Sequence, residues 1–186
     1  GTKTFFDQRT AATDVAVELE MNNGGNVRVY INGAARITSA SPLVANTWTH
    51  IAYSRAGGVG RLFINGTVQA TTYTDGNAYG SKPLYVGAAY NATQFFPGYI
   101  DEVRISTNIS RYSSSFTVAT QPFTGDSNTA TLLHFTGANA STNIIDDGTV
   151  VQDVRSSGGG TATGISRYDR SEFGANIRAN SGAMAV

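Results

Sequence analysis

Acid and base chemistry would have to start from the carboxylates Asp101-Glu102, Glu18 and Glu20, since glycoside hydrolysis needs two carboxylates facing one bond. Neighbours on an extended strand point to opposite faces, so Asp101 and Glu102 cannot flank one bond. Glu18 and Glu20 share a strand face and fare little better. His50 and His134 each lie in an apolar stretch with no second histidine at ligand spacing, and read as satisfied core or edge histidines rather than metal ligands. Asp126, Asp146, Asp147 and Asp153, with loop carbonyls, have the oxygen chemistry that calcium uses. Their spacing approaches no defined calcium loop, so they read as turn formers, and neither metal nor cofactor is expected.

Aromatic side chains are the better candidates for binding. Tyr73, Tyr79, Tyr90, Phe95 and Phe96 fall in two long polar stretches, Thr71 to Lys82 and Tyr90 to Pro97. Tyrosine among Asn, Gly and Ser is a versatile contact chemistry, suited to stacking on a glycan or to a protein interface. Trp48 reads as a core anchor or strand-edge cover, with stacking on a sugar ring as the alternative. Four Asn-x-Ser/Thr triplets, beginning at Asn65, Asn91, Asn108 and Asn139, are what a chain rich in these residues produces by chance.

Composition narrows the frame that holds these residues. The 186 residues allow one domain, or one and a fraction, with room for a sizeable core. With no cysteine, disulfides, thiolate metal sites and cysteine nucleophiles are excluded. Thirteen basic and thirteen acidic side chains cancel, and no basic stripe suggests nucleic acid. Apolar runs of about four to eight residues are too short for a membrane-spanning helix. The 21 glycines, with abundant Thr, Ser and Asn and little Leu, Lys or Glu, disfavour helices and suit short strands with tight turns.

The strands follow from alternation. Val15-Ala-Val-Glu-Leu-Glu-Met and Val27-Arg-Val-Tyr-Ile alternate apolar and polar residues, and Asn22-Asn-Gly-Gly between them predicts a hairpin. Val29-Tyr-Ile-Asn-Gly and Leu62-Phe-Ile-Asn-Gly each close a strand in Asn-Gly, the strongest short reversal signal. Trp48 to Arg55 predicts a strand with Trp48, His50, Ala52 and Ser54 on one face and Ile51, Tyr53 and Arg55 on the other, followed by a turn from Ala56 to Arg61. After Ser106 the pattern weakens into a surface traverse around Arg111-Tyr-Ser-Ser-Ser-Phe and a linker over residues 119–129. One further strand is expected at Ala130-Thr-Leu-Leu-His-Phe-Thr-Gly. From Ala138 onward the chain is polar and glycine-rich with short apolar islands, and Phe173 to Val186 is too small-residue-rich to form a core without a partner surface.

Asn46-Thr-Trp-Thr-His-Ile-Ala-Tyr-Ser-Arg, Leu62-Phe-Ile-Asn-Gly-Thr, Leu84-Tyr-Val-Gly and Gly98-Tyr-Ile-Asp-Glu-Val-Arg-Ile-Ser stand in the order of a laminin-G-like, concanavalin-A-like jelly roll. Thr2-Lys-Thr-Phe-Phe-Asp-Gln-Arg and the closing Ile109-Ser-Arg-Tyr-Ser-Ser-Ser-Phe extend the match over roughly residues 2–118. The chain resembles the repeats of this family found in bacteriophage tail-fibre and other virion surface proteins. The resemblance implies an all-β antiparallel jelly-roll sandwich, with a body at 1–118, a linker at 119–129 and strands at 130–186 like those that begin a repeat. Leu132-Leu-His-Phe, Asp146-Asp-Gly and Glu172-Phe-Gly-Ala-Asn-Ile are pieces that family members carry first and this chain carries last. The sandwich is therefore either permuted or completed by a neighbouring subunit, and a slice of a longer repeat chain fits both.

The resemblance also implies a non-enzymatic structural or adhesion protein of a virion surface, a capsid decoration or tail-fibre component. Its partners would be copies of itself and other virion proteins, in an extracellular setting with no nucleic acid and no membrane insertion. The second function it implies is a glycan-binding lectin-type module using the rim loops of Tyr73, Tyr79, Tyr90, Phe95 and Phe96 against host-surface glycans. The Glu-x-Asp-x-x-Glu pattern of laminarinase-type jelly-roll enzymes is absent.

Overall fold

Period-two alternation dictates a two-layered β-sandwich, seen here in a computed structural model that describes residues 1–136 and 144–148 and the backbone of 153–158 and 161–166. The strands are β1 (Lys3–Asp7), β2 (Val17–Met21), β3 (Asn26–Ile31), β4 (Ala34–Pro42), β5 (Ile51–Ala56), β6 (Val59–Ile64), β7 (Thr67–Thr74), β8 (Leu84–Val86), β9 (Val103–Ser106), β10 (Thr129–Leu133), β11 (Asp153–Gly158) and β12 (Thr161–Ser166). One layer is a seven-stranded sheet in the order β12-β11-β8-β1-β2-β3-β4. The other consists of two pieces, β5-β6-β7 and β10-β9. Pairing is antiparallel except between β11 and β8, which run parallel. No helix long and apolar enough to cross a membrane occurs among the described residues.

Register explains the layers. Leu19 stands opposite Val29, and Val17 opposite Ile31, so β2 and β3 turn these side chains inward together. Val27, Val29 and Ile31 are fully buried, and with Val17 and Ile37 they pack against Leu62 of β6, with Ile51 and Tyr53 of β5 beside them. At the other end, Leu133 of β10 packs against Val103 of β9 and Val86 of β8. Each half of the second layer thus covers its own part of the large sheet. The strand Thr129–Leu133 pairs with β9 of its own chain, Leu133 opposite Val103 and Leu132 opposite Arg104.

The segment between β9 and β10 ties the two halves together. Tyr112 stacks on Phe116 with ring centroids 3.7 Å apart, and both meet His50 and Phe63 edge-on or tilted. Arg104 of β9 lies over the Phe123 ring and donates to the Tyr112 hydroxyl. His50, Ala52 and Ser54 face this traverse, as their spacing predicts, with Ser54 bonded to Ser110 at 2.8 Å. Burial holds His50 below the ordinary imidazole range, and neighbouring Arg104 acts in the same direction, so the ring is neutral.

Three expectations need correction. Strand β5 begins at Ile51, so Trp48 lies in the preceding turn and is 69% exposed, not a core anchor. Strand β7 runs to Thr74, which places Tyr73 in a strand rather than a loop. Asp101 and Glu102 precede β9 and are not part of an extended strand; Glu102 has a φ of 53°. Expectations for Ala138 to Asn143, for Val150 and for Phe173 to Val186 fall outside the described residues, as does the Asp153 side chain.

Both Asn-Gly pairs make the predicted reversals, with φ positive at Asn32, Gly33, Asn65 and Gly66. Their surroundings differ. A methyl at Gly33 would meet open space, whereas one at Gly66 would drive into the Phe116 carbonyl, beside the bond from the Phe116 N–H to the Gly66 carbonyl. Gly33→Ala is therefore expected to cost about 1–2 kcal/mol, the left-handed penalty alone. Gly66→Ala should cost at least about 3 kcal/mol, because it also displaces the traverse. Urea denaturation of the two variants checks this; equal losses would show that the Gly66 contact with the traverse is dispensable.

Candidate functional site

The five aromatics singled out from sequence do not form one surface. Tyr79 and Tyr53 both donate to buried Asp75, at 2.6 and 2.9 Å, and Asn77 adds two further bonds. Burial works to raise the Asp75 carboxyl, but these donations outweigh it and hold it below the usual carboxylate range. Both phenols are pushed up, by burial first and by the Asp75 bond second. Arg55 lies over the Tyr79 ring and Arg36 over the Tyr73 ring. Tyr90 covers Arg9, and Phe96 packs edge-on against Phe5 at 4.8 Å. Phe95 alone of the five is largely open to solvent, at 51%.

The carboxylates cluster on the outward face of the large sheet. Asp7, Glu18, Glu20, Arg28 and Tyr30 project there because Asp7 stands opposite Glu18, Glu18 opposite Tyr30, and Glu20 opposite Arg28. Arg9 grips Asp7 with two bonds of 2.9 Å and reaches Glu18 at 2.6 Å, while its guanidinium lies between Tyr30 and Tyr90. Glu18 also accepts from the Thr4 hydroxyl at 2.8 Å, and Glu20 pairs with Arg28. Asp7, Glu18 and Glu20 are almost completely buried. This is a closed ionic network in which every acid already has a donor, so no carboxylate pair here is free to act on a glycosidic bond.

Elsewhere the polar candidates are equally committed. Glu102 accepts from the Phe123 N–H at 2.7 Å and bonds His134 Nδ1 at 2.7 Å, while its own N–H donates to Asp101. Asp126 receives Arg111 through two bonds and caps its own turn at Asn128 and Thr129. Asp146 ties Gly148 to Leu132 of β10. Among the described residues no group of three metal-ligating side chains comes together.

What remains is a cleft of about 1870 Å³ between the two layers. Phe6, Leu19 and Met21 of the large sheet form its apolar floor, and β5 and β9 run along it. Its mouth carries Val44, Trp48 and Tyr99, exposed by 70, 69 and 86%. Sequence reasoning gave sugar stacking at Trp48 only as the alternative and missed Val44 and Tyr99, because Trp48 and Tyr99 sit inside blocks that otherwise build strands. The signals were there: Asn46, with a φ of 57°, breaks the chain two residues before Trp48, and Gly98 does so before Tyr99.

The ionic network has a measurable pH signature. Burial, the largest effect, pushes the Glu18 carboxyl up to about 7 against the pull of Thr4 and Arg9. The folded state therefore holds a proton there that the unfolded chain, near its ordinary 4.5, releases. Stability from this group is fully present below pH 4.5 and lost as pH rises through 7. Relative to Glu18→Gln, the wild type should lose on the order of 2 kcal/mol across that interval. Unfolding free energies of both proteins at its two ends test this; parallel profiles would mean that Glu18 titrates like an exposed carboxylate.

No curated protein and no solved structure matches the chain. A family model of the laminin-G type, described as the concanavalin A-like lectin/glucanases superfamily, matches residues 1–113. These residues hold the first nine strands, the ionic network and the aromatic mouth of the cleft. With a helix-free antiparallel sandwich built on that segment, the chain belongs to the concanavalin A-like lectin/glucanases superfamily.

Proposed function

We propose that this protein is a non-enzymatic adhesion module of a virion surface, a capsid decoration or tail-fibre component that binds through the mouth of its inter-sheet cleft. The observation that carries the adhesion reading is that Val44, Trp48 and Tyr99 all line that cleft and are all largely exposed. Large apolar side chains gathered at a cleft mouth mark a contact surface, and Trp and Tyr are the residues that dominate such surfaces. The non-enzymatic reading is supported by the ionic network, whose acids are paired to arginines instead of facing a groove. The virion setting, with copies of the chain and other virion proteins as partners, is supported by the resemblance of the strand blocks to tail-fibre repeats.

Glycan binding is the second reading, favoured by the polar company of the mouth. Asn46, Thr47 and Thr49 line the cleft beside Trp48. Indole and phenol rings stack on the C–H faces of a sugar while amide and hydroxyl groups meet its hydroxyls.

The two readings separate on a glycan array and in the ultracentrifuge. Under the glycan reading, the wild type binds a defined saccharide class, and Trp48→Ala and Tyr99→Ala each weaken binding at least about tenfold, the loss of one buried aromatic contact. Under the assembly reading, the array is silent, the wild type sediments as a stable multimer, and the same substitutions shift it to smaller species. Binding and multimer formation both indifferent to Trp48→Ala and Tyr99→Ala would remove the mouth as the contact surface.

A further inference from the structure

Asn-Gly is a reactive dipeptide as well as a turn signal. The side-chain amide carbon of an asparagine can close a five-membered ring with the backbone nitrogen of the next residue, and a glycine there puts no Cβ in the way. The pair occurs three times, at Asn23-Gly24, Asn32-Gly33 and Asn65-Gly66. These lie between β2 and β3, between β3 and β4, and between β6 and β7. The fold holds them very differently.

At Asn23 the attacking nitrogen is engaged. The Gly24 N–H donates to Asn22 Oδ1 at 2.8 Å, and the same oxygen accepts the Asn26 N–H at 3.0 Å. At Asn65 the side chain itself is engaged. Its Oδ1 accepts the His50 N–H at 2.9 Å and its own N–H donates to the His50 carbonyl at 2.8 Å, while Gly66 is buried against the Phe116 carbonyl. Ring closure at either pair must break a hydrogen bond or displace packed chain.

Asn32 and Gly33 are both exposed, and a methyl at Gly33 would meet open space. Neither the Asn32 side chain nor the Gly33 N–H makes a hydrogen bond among the described residues. The bonds at this tip fall on carbonyls instead. The Tyr30 hydroxyl donates to that of Gly33 at 2.8 Å, and Arg36 donates to those of Ile31 and Asn32 at 3.0 and 3.4 Å. The ring closes only when Asn32 leaves its left-handed turn, where φ is 50°. A bulge at Arg36 cuts the tip off from the rest of the ladder, so only Tyr30 opposite Ala35 and Ile31 opposite Ala34 hold that turn shut.

We propose that Asn32 is a site of self-modification, converted through a cyclic imide with Gly33 to aspartate and isoaspartate. The Gly33 nitrogen bonds to Asn32 Cγ as the Cγ–Nδ2 bond breaks, and the Gly33 proton leaves with Nδ2 as ammonia. Water then adds across the imide. Cleavage of one imide C–N bond gives aspartate, and cleavage of the other gives isoaspartate. Either product places a carboxylate beside Arg36 and takes the formal net charge from zero to one negative. Aspartate keeps the turn, whereas isoaspartate lengthens the main chain by one carbon at the tip and strains the pairing of Ile31 with Ala34.

Peptide mapping by mass spectrometry of the full folded chain, aged in mildly alkaline buffer, tests this. Asn32 is expected to convert at least about threefold faster than Asn23 and about tenfold faster than Asn65, the margins set by hydrogen bonds that the slower pairs must break. Isoaspartate should appear at position 32, with a more acidic band on isoelectric focusing. In urea, where the turns are lost, the three pairs should convert within about threefold of one another. Asn22→Ala, which releases the Gly24 N–H, should bring Asn23 up towards the Asn32 rate while Asn65 stays slow. If Asn22→Ala speeds Asn65 as well, the hairpin change has loosened the whole fold, and the comparison of folded with urea-unfolded wild type decides. Asn32 converting no faster than Asn23 and Asn65 in the folded chain, or the same ranking persisting in urea, overturns the proposal.

Discussion

The fold depends on the aromatic seam that holds two half-sheets over one continuous sheet. His50 comes from the approach to β5, Phe63 from β6, Arg104 from β9, and Tyr112, Phe116 and Phe123 from the traverse, so the seam touches both halves of the interrupted layer. Edge-on and stacked pairs of this kind contribute about 0.5–1.5 kcal/mol each beyond the area they bury. They act together with the Ser54–Ser110 bond and the bond from the Phe116 N–H to the Gly66 carbonyl to keep the halves in register. The seam also explains the partly buried His50: the imidazole serves as a neutral ring among rings, and desolvation keeps it neutral.

The opposite face of the large sheet solves a different problem by the same economy. Three acids and two arginines are packed where strand alternation sends polar residues outward, and the loop bearing Tyr90 closes over them. Asp7 takes the Tyr90 N–H at 2.9 Å, and Thr4 and Gln94 exchange backbone and side-chain contacts across the same loop. Arg9 between two tyrosine rings is more weakly hydrated than a lysine would be, which suits it to this enclosure. Three carboxylates against two guanidiniums leave one negative charge in excess, and burial offsets the imbalance by raising Glu18 and Glu20.

Strands and reversals were legible in the sequence because they are local. Alternation over five or six residues sets the faces of β2, β3 and β5, and an Asn-Gly pair carries its own positive φ. The fates of Tyr73, Tyr79 and Tyr90 were not legible, because each is decided by an arginine or aspartate brought in from elsewhere. Arg36 reaches Tyr73 from β4, Arg55 reaches Tyr79 from β5, and Arg9 reaches Tyr90 from the far end of the chain. Trp48 failed for the complementary reason. Its neighbours alternate well enough to continue β5 backward, and only the left-handed turn at Asn46 takes it off the strand. Asp101 and Glu102 were assigned to opposite faces of a strand that begins only after both of them, at Val103.

Order along the chain and order in space agree at β10, although its sequence resembles the opening of a repeat. The strand comes after the body and lies beside β9, the last strand of the family match. The position of β10 directly after β9 keeps their pairing within residues 103–133, which lowers the entropy cost of closing it relative to a strand that arrives from the start of the body. It also makes the pairing of β9 with β10 a condition for covering Val86 and Val103, and places the Asp146 bond to Leu132, in the loop that follows, among the contacts that fasten the closure. Trp48 precedes β5 and Tyr99 precedes β9, one in each half of the interrupted layer, so their relative placement depends on both halves being anchored.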